Sequence, residues 1–202
     1  RAPTQIGMGS DRVGPTIIVF GTEEQKRRHL PGIVSGDVTW SQGFSEPEAG
    51  SDLASLTTRA VEEGDYFVLN GQKIWATLAH YSDWCIVLAR TDPDAPKHRG
   101  ISYFLLDMKT PGVVIQPLVD MLGRHTFNQV FLDNVRVPRD CLLGEKNRGW
   151  YVAAATLDFE RSGINRVVSG APTRSWWNMP VRRKRTARLS SETPACSRSW
   201  PS

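Results

Sequence analysis

The chain is poor in the residues that would point to a stapled or metal-bound protein. It has only three cysteines, Cys85, Cys141 and Cys196, scattered over 202 residues. An odd, dispersed set makes neither a disulfide framework nor a structural zinc site, so buried or incidental thiols and a reducing cytoplasm are the expectation. No run of eighteen apolar residues occurs, so no membrane-spanning helix is expected. Arg1 stands first with no charged-then-apolar leader behind it, which predicts no signal peptide and suggests a fragment of a longer chain. Basic charge is also missing where an even nucleic-acid binder would carry it. The first 164 residues hold 17 Lys/Arg and 20 Asp/Glu, whereas the last 38 hold eight and one. The net charge of +4 and the high pI therefore belong to the tail.

What is present reads as three kinds of segment. In "GTEEQKRRHLPGIVSGD" Thr22 is the N-cap candidate, Glu23 and Glu24 suit the first turn, and Pro31 is expected to end the helix. The preceding "VGPTIIVF" supplies apolar residues for packing on another helix. From Val38 the pattern changes to short strands between turn residues: "DVTWSQGF", "DYFVLNGQKIWAT", "DWCIVLAR", "ISYFLLD", "GVVIQPL" and "NQVFLDNVRVP". Asn70-Gly71 suits a type I′ hairpin turn. About seven strands result, an all-β barrel or sandwich. After "GEKNRGW" the apolar residues Trp150, Val152, Ala153, Ala154, Leu157 and Phe159 recur at helical spacing. The fold class is α+β. The expected domains are 1–37, the end of a helical domain; 38–140, the β domain; 141–168, the start of a second helical domain; and 169–202, an aperiodic basic tail, non-native or disordered.

Three stretches could carry chemistry. "SQGFSEPEAGSD" follows a strand with three serines, two glycines, three acids and a proline. Its hydroxyls and free amides suit a polar ring edge or a phosphate, although Asx and Ser turns in a surface loop would look the same. "NGQKIWAT" puts Trp75 and Thr77 two apart on a strand, on one face, where they could cover a planar cofactor or simply pack a core. "LDFER" puts Asp158, Glu160 and Arg161 on a helix, as a pocket acid or a solvated face.

Taken in order, "FSEPEAGSD", "NGQKIWAT", "VFLDNVRVP" and "LDFER" resemble the acyl-CoA dehydrogenase family, over roughly Gly14 to Val168. The resemblance implies the end of an N-terminal helical domain, a middle β-barrel and the first helix of a C-terminal helical domain, with FAD as cofactor. It places Gln42, Phe44, Ser45, Gly50, Ser51, Trp75, Ala76 and Thr77 at the flavin. Ser45 would bond the isoalloxazine ring, Trp75 would lie against it, and Thr77 would reach N5. Ser51, Asp158 and Arg161 would contact the acyl-CoA, and Glu160 falls at one of the two positions that family members use for the catalytic base. Gln42 stands where many members have an aromatic residue, which leaves the acyl type open. The implied reaction is α,β-dehydrogenation of an acyl-CoA to a trans-2-enoyl-CoA. The implied partners are an electron-transfer flavoprotein as acceptor and further subunits in a dimer or tetramer, with no nucleic acid. A non-catalytic FAD-binding subunit, an acyl-CoA oxidase and a flavin monooxygenase are the alternatives on the same fold.

The tail departs from that pattern. After Ser169 come four prolines and three of the seven tryptophans, with no period, as out-of-frame translation of a GC-rich gene would give. A basic arm for nucleic acid is the rival reading, because aromatic and basic residues interleave there. Limited proteolysis followed by mass spectrometry should trim the chain first after about Val168. A protease-resistant tail would overturn the expected boundary.

Overall fold

The computed structural model describes residues 7–162; the tail reading and Cys196 lie outside them. A π-helical turn, Gly9–Val13, runs directly into helix α1, Gly14–Phe20, in which Pro15 lies at the first turn, where its missing N–H costs nothing. Helix α2, Glu23–Ser35, begins as expected at Thr22. The Thr22 hydroxyl accepts from the Gln25 amide at 3.2 Å, and the Gln25 side chain accepts from the Thr22 amide at 3.0 Å. Its end corrects the sequence reading. Pro31 sits inside the helix, which continues for a further turn to bury Ile33 and stops at Gly36 in the left-handed conformation, φ 73°. One missing backbone bond is outweighed by that burial and by a favourable C-cap. The Gln25 side-chain Nε2 donates to the carbonyls of Asp140 and Leu142, at 2.7 and 2.9 Å, tying α2 to the chain that follows the sheet.

Seven strands form one mixed sheet, curled as a half-barrel: β1 Trp40–Gly43, β2 Arg59–Glu63, β3 Tyr66–Thr77, β4 Trp84–Arg90, β5 Ile101–Asp107, β6 Val113–Val119 and β7 His125–Pro138. β5 pairs antiparallel with β4, whose other edge meets β1 in parallel and touches β2 at Arg90; the sheet then continues through β3 and β7 to β6. β4 and β5 are the near-continuous apolar runs, and both are buried. Pro117 is tolerated because β6 is an edge strand paired only with β7. Helix α3, Gly149–Ser162, lies against β5 and α1 and buries Val152 and Ala153.

Asn70-Gly71 is not the hairpin turn. Glu63 pairs with Tyr66, so the two-residue loop is Gly64-Asp65, with Gly64 at φ 59°. Gly71 instead lies in the middle of β3, beside a register shift against β7. A Cβ there would come within 2.6–2.9 Å of Thr58. The glycine is therefore needed for close approach, which overrides its local turn propensity.

Thr58 is pressed close because it backs a buried ion pair. The Lys73 ammonium is 2.7 Å from Glu46, with side chains 1% and 3% exposed. Lys73 also donates to the Phe44 carbonyl at 3.2 Å. Glu46 further accepts from the Thr57 amide at 2.6 Å, the Thr57 hydroxyl at 2.8 Å and the Thr58 amide at 2.9 Å. Burial alone would raise the Glu46 carboxyl, but Lys73 and the Thr58 and Thr57 hydrogen bonds outweigh it and hold it at about 2. Burial pushes Lys73 down, with Glu46 pulling the other way. On α2, His29 is packed between Trp40 and Trp84, at centroid distances of 5.3 and 4.7 Å. Burial, helped by Arg28, lowers it to about 4.

These two depressed groups set an acid limit. Each folded value lies below its ordinary one, so the unfolded chain binds more protons and stability falls as pH falls. The contribution of His29 should be lost between pH 6.5 and about 4, and that of Glu46 between pH 4.5 and about 2, each on the order of 3 kcal/mol. Thermal unfolding across this range should show both stages, and His29→Phe should flatten the upper one alone. Lys73→Met should cost about 3–5 kcal/mol in urea unfolding, because it leaves a buried carboxylate unpaired. Adding Glu46→Gln should recover much of that loss; an equally unstable double variant would refute the pairing argument.

Candidate functional site

With the Glu46 carboxylate held by four donors, the loop around it has a fixed shape. Glu46 and Ala49 exchange backbone bonds of 2.9 and 3.1 Å, closing a tight turn over Pro47 and Glu48. The Ile74 amide donates to the Ser45 carbonyl at 2.9 Å, stitching the start of the loop to β3. Asp52 pairs with Lys97 at 2.7 Å and accepts from the Ser55 hydroxyl. Between these ties Gly50 and Ser51 stand exposed. A Cβ on Gly50 would meet nothing, so its backbone faces open space.

The loop opens on two adjoining recesses. The larger, about 460 Å³, is lined by Gln42, Phe44, Ser45, Gly50 and Ser51 on one side, and by Trp150, Ala153, Leu157, Asp158 and Arg161 of α3 on the other. That is within the usual range for small-molecule sites. The smaller, about 100 Å³, shares Gln42, Phe44 and Ser45 and adds Met8, Arg12, Ile74, Trp75 and Thr77. The structure thus brings together nine of the predicted site residues: Gln42, Phe44, Ser45, Gly50, Ser51, Trp75, Thr77, Asp158 and Arg161. Ala76 is fully buried behind the wall rather than in it. Among the described residues, the hydroxyls of Ser45, Ser51 and Thr77 make no side-chain hydrogen bond, so all three remain available to a ligand.

Trp75 and Thr77 share a recess, but not by simple strand alternation. Trp75 is left-handed, φ 61°, within a bulge where the β3–β7 register shifts between Lys73 and Ala76. Trp75 is 60% exposed, and its ring stands nearly perpendicular to that of Phe127, with 6.0 Å between centroids. A broad aromatic face is therefore left open, as a planar ligand requires.

Glu160 lines neither recess. It lies about 200° around α3 from Asp158, and its carboxylate pairs with Arg12 at 2.9 Å. Arg12 projects from the π-helical turn, donates to the Gln42 side chain at 3.3 Å and lines the smaller recess. Its Nε is buried without a partner among the described residues. Arg12 was not legible in the sequence, since a lone arginine ahead of a helix carries no motif. The only available signal is structural, because π-turns gather at functional sites. Asp158 and Arg161 pair at 3.8 Å, largely in solvent. No described helix is long and apolar enough to cross a membrane, and no group of three or more metal-ligating side chains occurs among the described residues.

Known proteins agree with this architecture. The acyl-CoA dehydrogenase middle-domain family matches residues 41–135. Over 161 residues the chain is 50% identical to acyl-CoA dehydrogenase IpdE1 of Mycobacterium tuberculosis, a match covering 79% of this chain and 42% of that protein. It is 54% identical over 147 residues to acyl-CoA dehydrogenase FadE34 of the same organism, covering 73% and 21%. Among solved structures, the Tcur3481-Tcur3483 steroid ACAD superposes with a TM-score of 0.72 at 44% identity, covering 75% of this chain and 39% of that one. The chain spans less than half the length of each relative it matches here. The sheet, the clamped serine loop, the left-handed tryptophan and these matches lead to one conclusion: the chain belongs to the acyl-CoA dehydrogenase family.

Proposed function

We propose that this chain carries the flavin-contacting part of an FAD-dependent acyl-CoA dehydrogenase, which converts an acyl-CoA to a trans-2-enoyl-CoA. The observation that carries the reading is the convergence of the serine loop, Trp75 and Thr77, and the Asp158–Arg161 face of α3 on two connected recesses. The residues fit the cofactor: open hydroxyls on Ser45, Ser51 and Thr77, exposed backbone at Gly50, and an uncovered indole face. When bound, FAD supplies the two-electron acceptor for the hydride leaving the β-carbon. Ser45 and Thr77 would hold the ring edge, Trp75 would cover one face, and Ser51 with Arg161 would receive phosphate or CoA groups. Phe44 and Leu157 exclude water, so the few donors count for more. Glu160 is our candidate for the group that takes the α-proton. Because it rests on Arg12, substrate entry must release it from that pair.

The neighbour described as a steroid ACAD supports a bulky acyl group as substrate. The ChsE4-ChsE5 complex of Mycobacterium tuberculosis, 42% identical with a TM-score of 0.71, supports assembly with a related second chain. A solved structure 36% identical, titled as an electron-transferring flavoprotein, keeps such a protein as the proposed electron acceptor. The second reading is an FAD-binding subunit that supplies no base of its own. It is favoured by Glu160 lining neither recess while Arg12 holds its carboxylate.

Residues 1–202 alone should bind FAD weakly and show no acyl-CoA-dependent dye reduction, because over half the length of relatives such as IpdE1 has no counterpart here. A stoichiometric, active flavoprotein would refute this. In the holoenzyme, Glu160→Gln should lower turnover by about 10²–10⁴-fold while FAD stays bound. Turnover at the wild-type rate would favour the second reading.

A further inference from the structure

Asn128 lies outside the recesses, fully buried on β7, and none of the roles above uses it. Its side chain links two unlike features. The Nδ2 donates to the Ala76 carbonyl at 3.0 Å. The Oδ1 faces His80 Nδ1 at 3.1 Å and His125 Nε2 at 2.7 Å, and the two imidazoles stack at 3.8 Å with 16° between their planes. Turning the amide over would set its oxygen against the Ala76 carbonyl, two acceptors facing each other. The network therefore fixes the amide orientation and makes both ring nitrogens donors.

Ala76 needs such a tie. It sits between two non-glycine residues in the left-handed region, Trp75 at φ 61° and Leu78 at φ 53°, on the bulged stretch of β3. Each such residue is strained and persists only where the surroundings over-determine it. Beyond the ladder that pairs Ala76 with Asn128 and Thr77 with Phe127, three hydrogen bonds tie the stretch down. The Ile74 amide reaches the Ser45 carbonyl at 2.9 Å, and the Leu78 amide reaches the Thr126 carbonyl at 2.9 Å. The third is the Asn128 bond, the only one of the three made by a side chain. The residue before it, Phe127, packs on the Trp75 ring from the other face of β7. One dipeptide of β7 thus fixes the backbone behind Trp75 and supports its ring in front.

We propose that Asn128 is a positioning residue for the Trp75–Thr77 wall of the recess, acting through the Ala76 carbonyl, with His80 and His125 holding its amide in register. The role rests on the flavin reading for its purpose, but not for its geometry.

The test uses the 202-residue chain. Asn128→Asp keeps an acceptor for the two histidines but loses the donor to Ala76, Asn128→Ala loses both, and His125→Ala, at an exposed residue, spares the fold. Hydrogen exchange is read at the Ile74 and Leu78 amides against Val68 and Leu69 of the same strand, and FAD affinity is read by flavin fluorescence quenching. Both Asn128 variants should exchange about tenfold or more faster at Ile74 and Leu78 without matching change at Val68 and Leu69, and should bind FAD about tenfold more weakly. His125→Ala should shift both readouts in the same direction by less. Exchange unchanged at Ile74 and Leu78, or raised equally along all of β3, overturns the proposal. Local loosening with FAD affinity unchanged sustains the positioning of the wall and removes its purpose in flavin binding instead.

Discussion

The buried contact between Lys73 and Glu46 is the constraint on which the site depends. An ion pair out of water is a poor source of stability, because desolvating two charges costs about as much as their attraction returns. Its value here is geometric. Glu46 belongs to the loop and Lys73 to β3, so the pair, with the Thr57 and Thr58 donors, locks a polar loop onto a sheet without burying Ser45 or Ser51. An apolar anchor at Glu46 would fill the same space but would leave the Thr57 and Thr58 amides unpaired. The close approach of Gly71 to Thr58 follows from the same clamp.

Much of this was visible in the sequence, and the parts that were not share a cause. The serine loop, the strand containing Trp75 and the helix containing Asp158 could each be placed, because hydrophobic period and turn chemistry are local. Chained in order, they also carried the family resemblance. Pro31 and Asn70-Gly71 misled because both are strong local signals overruled from a distance: the first by burial of Ile33 and the Gly36 cap, the second by Thr58. The shared face of Trp75 and Thr77 was read correctly for an incomplete reason. Alternation predicts it for a flat strand, whereas the chain achieves it through a left-handed residue in a bulge. Arg12 and Asn128 were out of reach, since each acts through long-range partners that no spacing announces.

The Arg12–Glu160 pair shows how a short irregularity can matter to chemistry. The extra residue in the π-helical turn brings Arg12 to Gln42 and Glu160 together, so β1, α3 and the N-terminal segment meet at one guanidinium. A guanidinium in that place touches both the recess wall, through Gln42, and the proposed base.

The parallel pairing of β1 with β4 also bears on how the chain acquires its shape. Trp40 lies beside Trp84 and Gly43 beside Val87, so more than forty residues must be ordered between partners before either contact forms. The β2–β3 hairpin closes through two residues and can form early, whereas the serine loop gains its place only once β1 has docked. Non-local closure of this kind slows folding. The recess therefore waits on non-local closure, and its failure would leave a well-formed hairpin with no site beside it.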